Sequence, residues 1–247
     1  MKKVTFLLAA LFCTLFASAA NETDTMIVRI KAMRCEDCAH KVNVALHKDE
    51  GVEGLEFNLE RRTVIVEYNP AKTNPEKIKE ELNATGRYKP SAYDKNEVIR
   101  RGMGLQMSDM CCQDCADRIS KKLYGMVGVD SVAPHLDKQY TFVRYNANKT
   151  CKAEIKQALL DMGFTPTTYY TSNVIRFAYY NVPENIDVEE ATEQVLALDG
   201  VDDATINPKR HSLAITYVTE QTNPEKLLSD IKAAGLNVTV PTTPQCK

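Results

Sequence analysis

The residues best suited to chemistry in this 247-residue chain are Met33-Arg34-Cys35-Glu36-Asp37-Cys38 and, 77 positions later, Met110-Cys111-Cys112-Gln113-Asp114-Cys115. Two thiols separated by two residues at a strand-to-helix junction form a small, exposed, electron-rich pocket. At the start of a helix, unpaired backbone N–H groups and the helix dipole favour negative charge and draw a thiol toward thiolate. Thiolates are soft ligands, and a pair of them on a loop can bracket a d¹⁰ ion in near-linear geometry. Cu(I) is the leading ion, with Ag(I) and Hg(II) close behind. Zn(II) fits less well, since a closed structural zinc site takes four ligands and each motif supplies two paired cysteines. An under-coordinated ion on a surface loop can be attacked by a partner's thiolate and passed on through a three-coordinate intermediate. That handover needs no general acid or base, so the chain is not expected to be an enzyme.

Other sulfur and aromatic residues surround this pair of motifs. Met33 and Met110 read as core residues supporting the loop rather than as ligands, because methionine fills irregular gaps. Cys111 leaves three readings open: a third ligand, a disulfide with Cys112 or Cys115, or a side chain pointing away. Met103 and Met107 alternate with Leu105 on the preceding strand and read as core. Cys151 and Cys246 are free thiols by default, a disulfide between them being the alternative. His40 falls about 200° around the helix from Cys38, and His47, His135 and His211 show no ligand spacing.

The elements that must hold the motifs emerge from an internal repeat. Adding 77 to positions in a first copy reaches a second, and adding 149 reaches a third: Gly51-Val52 becomes Gly128-Val129 and Gly200-Val201, and Gly86 becomes Gly163 and Gly235. Asn74-Pro75-Glu76-Lys77 recurs as Asn223-Pro224-Glu225-Lys226. Each copy opens with a strand, Met26 to Lys31 in the first. A helix follows whose inner stripe is Ala39, Val42 and Leu46, matched by Ala116, Ile119 and Leu123 and by Val188, Ala191 and Val195. Two strands come next, Leu55 to Leu59 and Thr63 to Tyr68 in the first copy, then a second helix capped by Asn74 with Pro75 at its first position. Glycine ends that helix and sends the chain into a last strand. The order βαββαβ, three times over, gives an α+β chain of three tandem ferredoxin-like units.

On these residues, each of the first two units resembles a heavy-metal-associated domain, the module of copper chaperones, of metal-ATPase amino-terminal domains and of periplasmic mercury-binding proteins. The family signature, Gly-Met-x-Cys-x-x-Cys between the first strand and first helix, is matched by Met33, Cys35 and Cys38 and by Met110, Cys112 and Cys115. Ala32 and Asp109 stand where the family has glycine, and Arg34 and Cys111 fill a slot that is usually small. The third unit has Val182-Pro183-Glu184-Asn185-Ile186-Asp187 at the motif and is degenerate, with no soft ligand. The resemblance implies that Tyr88 and Phe164, in the loop after helix two, lie beside the sulfurs; an ordinary buried aromatic is the plain alternative.

Composition and termini complete the expectations. Lys2 and Lys3, the apolar run Val4 to Phe16 and Ala17-Ser18-Ala19 read as a cleaved signal peptide. Its loss removes two lysines and Cys13, taking the net charge from −2 to −4 and the cysteines from eight to seven. An odd count in an oxidising compartment leaves at least one thiol outside internal disulfides. The acidic balance argues against nucleic acid. The expected layout is residues 1–20 as signal peptide, unit one over 24–94, unit two over 98–171, unit three over 173–241 and a tail over 242–247. The expected protein is a periplasmic or secreted monomer with no membrane span after cleavage, carrying a soft metal to a metal-exporting P-type ATPase or another periplasmic acceptor. Silver or mercury detoxification, thiol-disulfide exchange, and a non-metal scaffold with vestigial sites are the competing readings.

Overall fold

The computed structural model describes residues 23–241, so the expected signal peptide, Cys13, the expected tail and Cys246 lie outside it. The three repeats fall into two compact units, divided between Tyr93 and Asp94. The first unit holds the first repeat. The second holds the other two, packed together.

In the first repeat, β1 (Asp24–Arg29), α1 (Glu36–Leu46), β2 (Val52–Asn58), β3 (Thr63–Tyr68), α2 (Pro75–Ala84) and β4 (Ser91–Ala92) follow in order. The sheet order is β2-β3-β1-β4, all neighbours antiparallel, which is the split βαβ arrangement. Val42 and Leu46 of α1 and Ile78 and Leu82 of α2 are buried against Val28, Val64 and Val66 of the sheet, as the 3.6-residue and two-residue periods require. The Asn74 side chain accepts from the Lys77 N–H at 3.0 Å and caps α2, with Pro75 at the first helical position.

The second repeat repeats the plan with β5 (Arg100–Gln106), α3 (Gln113–Tyr124), β6 (Val129–His135), β7 (Tyr140–Asn146), α4 (Lys152–Asp161) and β8 (Thr167–Tyr169), in sheet order β6-β7-β5-β8. The third has β9 (Ile175–Asn181), α5 (Val188–Leu196), β10 (Val201–Asn207), β11 (Ser212–Val218) and α6 (Pro224–Ala233). Its sheet has three strands, β10-β11-β9, and the expected last strand shrinks to one bridge, Asn181 to Thr239. Pro241, two residues on, has no N–H to extend a ladder.

Three backbone details recur at equivalent places. Each second strand carries an irregularity just after its first residue, between Val52 and Gly54, Val129 and Ser131, and Val201 and Asp203. Each following hairpin turns on a left-handed residue, Arg62, Gln139 or His211. Gly86, Gly163 and Gly235 have φ of +71°, +87° and +93° after their helices, a conformation that excludes most side chains.

Within the second unit, polar groups join the second and third repeats. Lys156 of α4 donates to both oxygens of Asp203 at 3.0 and 2.8 Å, and Asp203 also accepts from the Thr168 N–H and hydroxyl at 2.7 Å each. Burial works against the Asp203 carboxylate, but Lys156 and Thr168 outweigh it and hold its pKa below the ordinary range. Buried hydroxyls pair alongside: Thr165 with Ser212 at 2.6 Å and Thr167 with Thr216 at 2.8 Å. Among the described residues no helix is long and apolar enough to cross a membrane.

Leu123 is fully buried at the end of the α3 stripe. Leu123→Ala should cost about 2–5 kcal/mol of the second unit's stability, read as a lowered urea midpoint at unchanged slope.

Candidate metal centre

The first candidate site is built on a tight turn between β1 and α1. The Met33 N–H donates to the Ile30 carbonyl at 2.9 Å, and the Met33 side chain is fully buried beneath the loop. The second site has the same turn, Met110 N–H to Met107 carbonyl at 3.1 Å, and buried Met110 receives the Thr141 hydroxyl on its sulfur at 3.4 Å. Both methionines are thus packing residues, and Met103 and Met107 are buried as well.

Cys35 and Cys112 occupy the N-cap positions of α1 and α3, with extended backbones. Cys38 and Cys115 follow at the third helical position. Three other helices of this chain place an Asn or Asp oxygen at the cap, at Asn74, Asp187 and Asn223, while α4 starts on Cys151. In the second site sulfur takes that place, Cys112 Sγ accepting the Cys115 N–H at 3.3 Å, whereas Cys35 makes no side-chain cap bond. The Sγ atoms are 2.7 Å apart in the first pair and 2.9 Å in the second, and all four thiols are free. In each pair the first cysteine is exposed and the second buried. A metal–sulfur bond is about 2.3 Å for zinc, so an ion placed between the sulfurs requires them to separate, and the exposed cysteine is the one facing solvent.

The two pairs differ electrostatically. The Cys35 thiol donates its hydrogen-bonding capacity to Cys38, and this interaction, aided by the backbone at Arg34, lowers Cys38 to about 7 while raising Cys35. Cys38 therefore gives up its proton first. Cys115 shifts the other way, raised chiefly by burial and then by Cys112. Tyr88 contributes to the contrast: it is buried beside the first pair, its hydroxyl lacks a partner of full hydrogen-bond geometry, and it helps to lower Cys38. Burial, then Cys38, raises the Tyr88 phenol in return. Phe164 is likewise buried but has no hydroxyl, and Arg118 lies over its ring at 5.7 Å.

Cys111 departs from the simplest expectation. It is disulfide-bonded, and neither Cys112 nor Cys115 is its partner because both are free. The Sγ atoms of Cys111, Cys112 and Cys115 nonetheless lie within 4.8 Å of one another. Cys111 is placed for a three-sulfur cluster but can act as a thiolate there only after its disulfide is reduced. Cys151 is a free thiol at the start of α4. His47 bonds the Asn43 carbonyl and His135 stacks on Tyr140, so neither joins a sulfur pair.

In the third repeat α5 begins at Val188, and Asp187 caps it by accepting the Glu190 N–H at 3.0 Å. Asp187 is thereby a helix cap rather than the counterpart of a ligand, and Glu184 is exposed. The residue that sequence reasoning passed over is Asp109, legible only as a missing glycine. It is 1% exposed, immediately before Met110, with Oδ2 accepting the Thr165 N–H at 2.8 Å and the Tyr179 hydroxyl at 2.9 Å. Burial raises its pKa, opposed by Tyr179 and the Arg210 charge.

Comparison with known proteins agrees with this construction. The profile of the heavy-metal-associated domain matches residues 27–87, 105–165 and 188–236. The copper-transporting ATPase HMA5 of Oryza sativa subsp. japonica is 24% identical over 225 residues, covering 88% of this chain and 22% of the ATPase. The copper-exporting P-type ATPase of Bacillus subtilis is 25% identical over 144 residues, covering 58% of this chain and 17% of its own. The chain thus spans about a fifth of the length of these curated relatives. Among solved structures, the amino-terminal soluble domains of Bacillus subtilis CopA align at 24% identity over 62% of this chain and 98% of theirs, with a TM-score of 0.28. With its profile matched three times along the sequence, the chain belongs to the heavy-metal-associated domain family.

Proposed function

We propose that the chain is an exported carrier or buffer for a soft metal, Cu(I) above all, with one ion at Cys35 and Cys38 and another at Cys112 and Cys115. The observation that carries this reading is the repeated pairing of one exposed and one buried thiol at a helix N-terminus, over a buried methionine. Two soft donors at that place suit a d¹⁰ ion of low coordination number. Copper-transporting ATPases among the relatives favour copper over silver or mercury.

The exposed thiols set the order in which the sulfurs let go. A thiolate of an acceptor attacks the ion from solvent and forms a three-sulfur intermediate; the exposed Cys35 or Cys112 then leaves, and the buried partner leaves last. The metal oxidation state does not change, each sulfur that departs regains a proton or stays thiolate, and no catalytic acid or base takes part. The acceptor we infer is a metal-exporting P-type ATPase or another thiolate-bearing periplasmic protein, with the signal-peptide pattern of residues 1–20 as the argument for the compartment. The third repeat carries no metal in this scheme.

Two measurements test it. Reduced, anaerobic protein lacking residues 1–20, titrated with Cu(I) against a competing chelator, should take up about two equivalents. Cys35→Ser with Cys38→Ser should remove one, Cys112→Ser with Cys115→Ser the other, and Glu184→Gln neither. Binding of no Cu(I) in competition with a moderate chelator overturns the proposal.

The pKa contrast gives the second. Metal displaces thiol protons, so affinity falls with pH most steeply where the thiol pKa lies highest. Between pH 8 and pH 7 the second pair, with Cys115 raised, should lose more Cu(I) affinity than the first, where Cys38 titrates at about 7. The single-site variants, titrated at both pH values, measure this; a steeper loss at the first site refutes it.

A further inference from the structure

We propose that the third repeat, having no thiols, acts as a clamp in cis that fixes the two loops flanking Cys112 and Cys115 and so tunes how tightly the second site holds its metal. Asp109, Tyr179 and Asn207 are the positioning residues.

The second site lies between two loops, one carrying Asp109-Met110-Cys111-Cys112 and the other Gly163-Phe164-Thr165. Both are tied to the third repeat. On the first loop, Asp109 Oδ2 takes the Tyr179 hydroxyl from β9 at 2.9 Å. On the second, the Phe164 carbonyl accepts from Asn207 Nδ2, at the end of β10, at 2.7 Å, and the Thr165 hydroxyl pairs with Ser212 of β11 at 2.6 Å. Asp109 also joins the loops to each other through the Thr165 N–H at 2.8 Å. Every one of these groups is buried or nearly so, where a hydrogen bond to a charged partner is strong and an orphaned carboxylate costly.

Tyr179 suits the role of permanent donor. Burial and the neighbouring Asp109 push its phenol up to about 12, so it keeps its proton across the physiological range. Arg210, on the β10–β11 hairpin, adds positive charge toward Asp109. Among the described residues the first repeat shows no equivalent set. Ala32 stands where Asp109 does, and it has no polar side-chain atom to be held.

An ion entering between sulfurs 2.9 Å apart must push Cys112 and Cys115 outward, and a loop fixed from behind resists that movement differently from a free one. Removing the clamp should therefore change the second site while the first, 77 residues earlier in the sequence, keeps its affinity. The inference rests on the proposed function, since it assumes that Cys112 and Cys115 take up Cu(I).

The test uses the full chain without residues 1–20 in two backgrounds, Cys35→Ser/Cys38→Ser to isolate the second site and Cys112→Ser/Cys115→Ser to isolate the first. Tyr179→Phe and Asn207→Ala should each shift Cu(I) affinity at the second site by about three- to tenfold, the size of one lost hydrogen bond. They should also alter the rate at which Cys112 is alkylated in metal-free protein, with the first site unmoved. Lys156→Met, which breaks the same interface away from the loops, serves as control and should lower thermal stability without changing either readout. If the unmodified second site takes no Cu(I), the functional proposal itself fails. If it binds normally and Tyr179→Phe and Asn207→Ala leave affinity and alkylation unchanged, or Lys156→Met changes them equally, the clamp is refuted.

Discussion

Keeping two thiols side by side on the surface requires that the loop bearing them be anchored from below, because like partial charges at less than 3 Å repel as soon as both protons leave. In this chain the anchor is a buried methionine two residues before the first cysteine, together with a turn that closes on the preceding strand. The first turn of the helix then lies at the sulfurs, where its dipole favours negative charge. All else in the repeat, the four-stranded sheet included, serves to bring that turn and that helix end together.

The same scaffold supports three different outcomes. In the first repeat a tyrosine hydroxyl backs the buried sulfur and Cys38 is acidified; in the second a phenylalanine takes that place and burial dominates. In the third an aspartate supplies the cap oxygen and the helix starts later, so the turn has nothing left to hold. The third repeat lacks both sulfurs, and its helix start is an ordinary oxygen-capped one.

The βαββαβ order and the sulfur pairs were legible in the sequence because they rest on strong local signals: the 77- and 149-residue offsets, the apolar stripes of Val42 and Leu46 or Ile119 and Leu123, and the Asn-Pro helix starts. The burial of Met33 and Met110 followed from the same pattern. The shortness of the last strands was less visible, since it depends on where prolines such as Pro241 fall against the ladder. The docking of the second and third repeats left almost no trace. Its groups are Thr165, Thr167, Ser212 and Thr216, short hydroxyls that alternate with apolar residues as solvated strand faces do, and only their pairing across the interface reveals their burial. Asp109 carries the same lesson, as a charge beside the motif whose partner lies 70 residues later. Cys111 gave three readings in the sequence, and its spacing alone does not choose among them.

Tandem copies of one fold face a hazard of mistaken identity, since any copy could settle against the wrong sibling while the chain is collapsing. Asp203 bears on that choice. Its counterparts are Gly54 in the first repeat and Ser131 in the second, so only the third presents the carboxylate that Lys156 and Thr168 grip. Placed in a partly buried seam, that acid works as an address label, giving the lysine a carboxylate at a position where neither sibling has one.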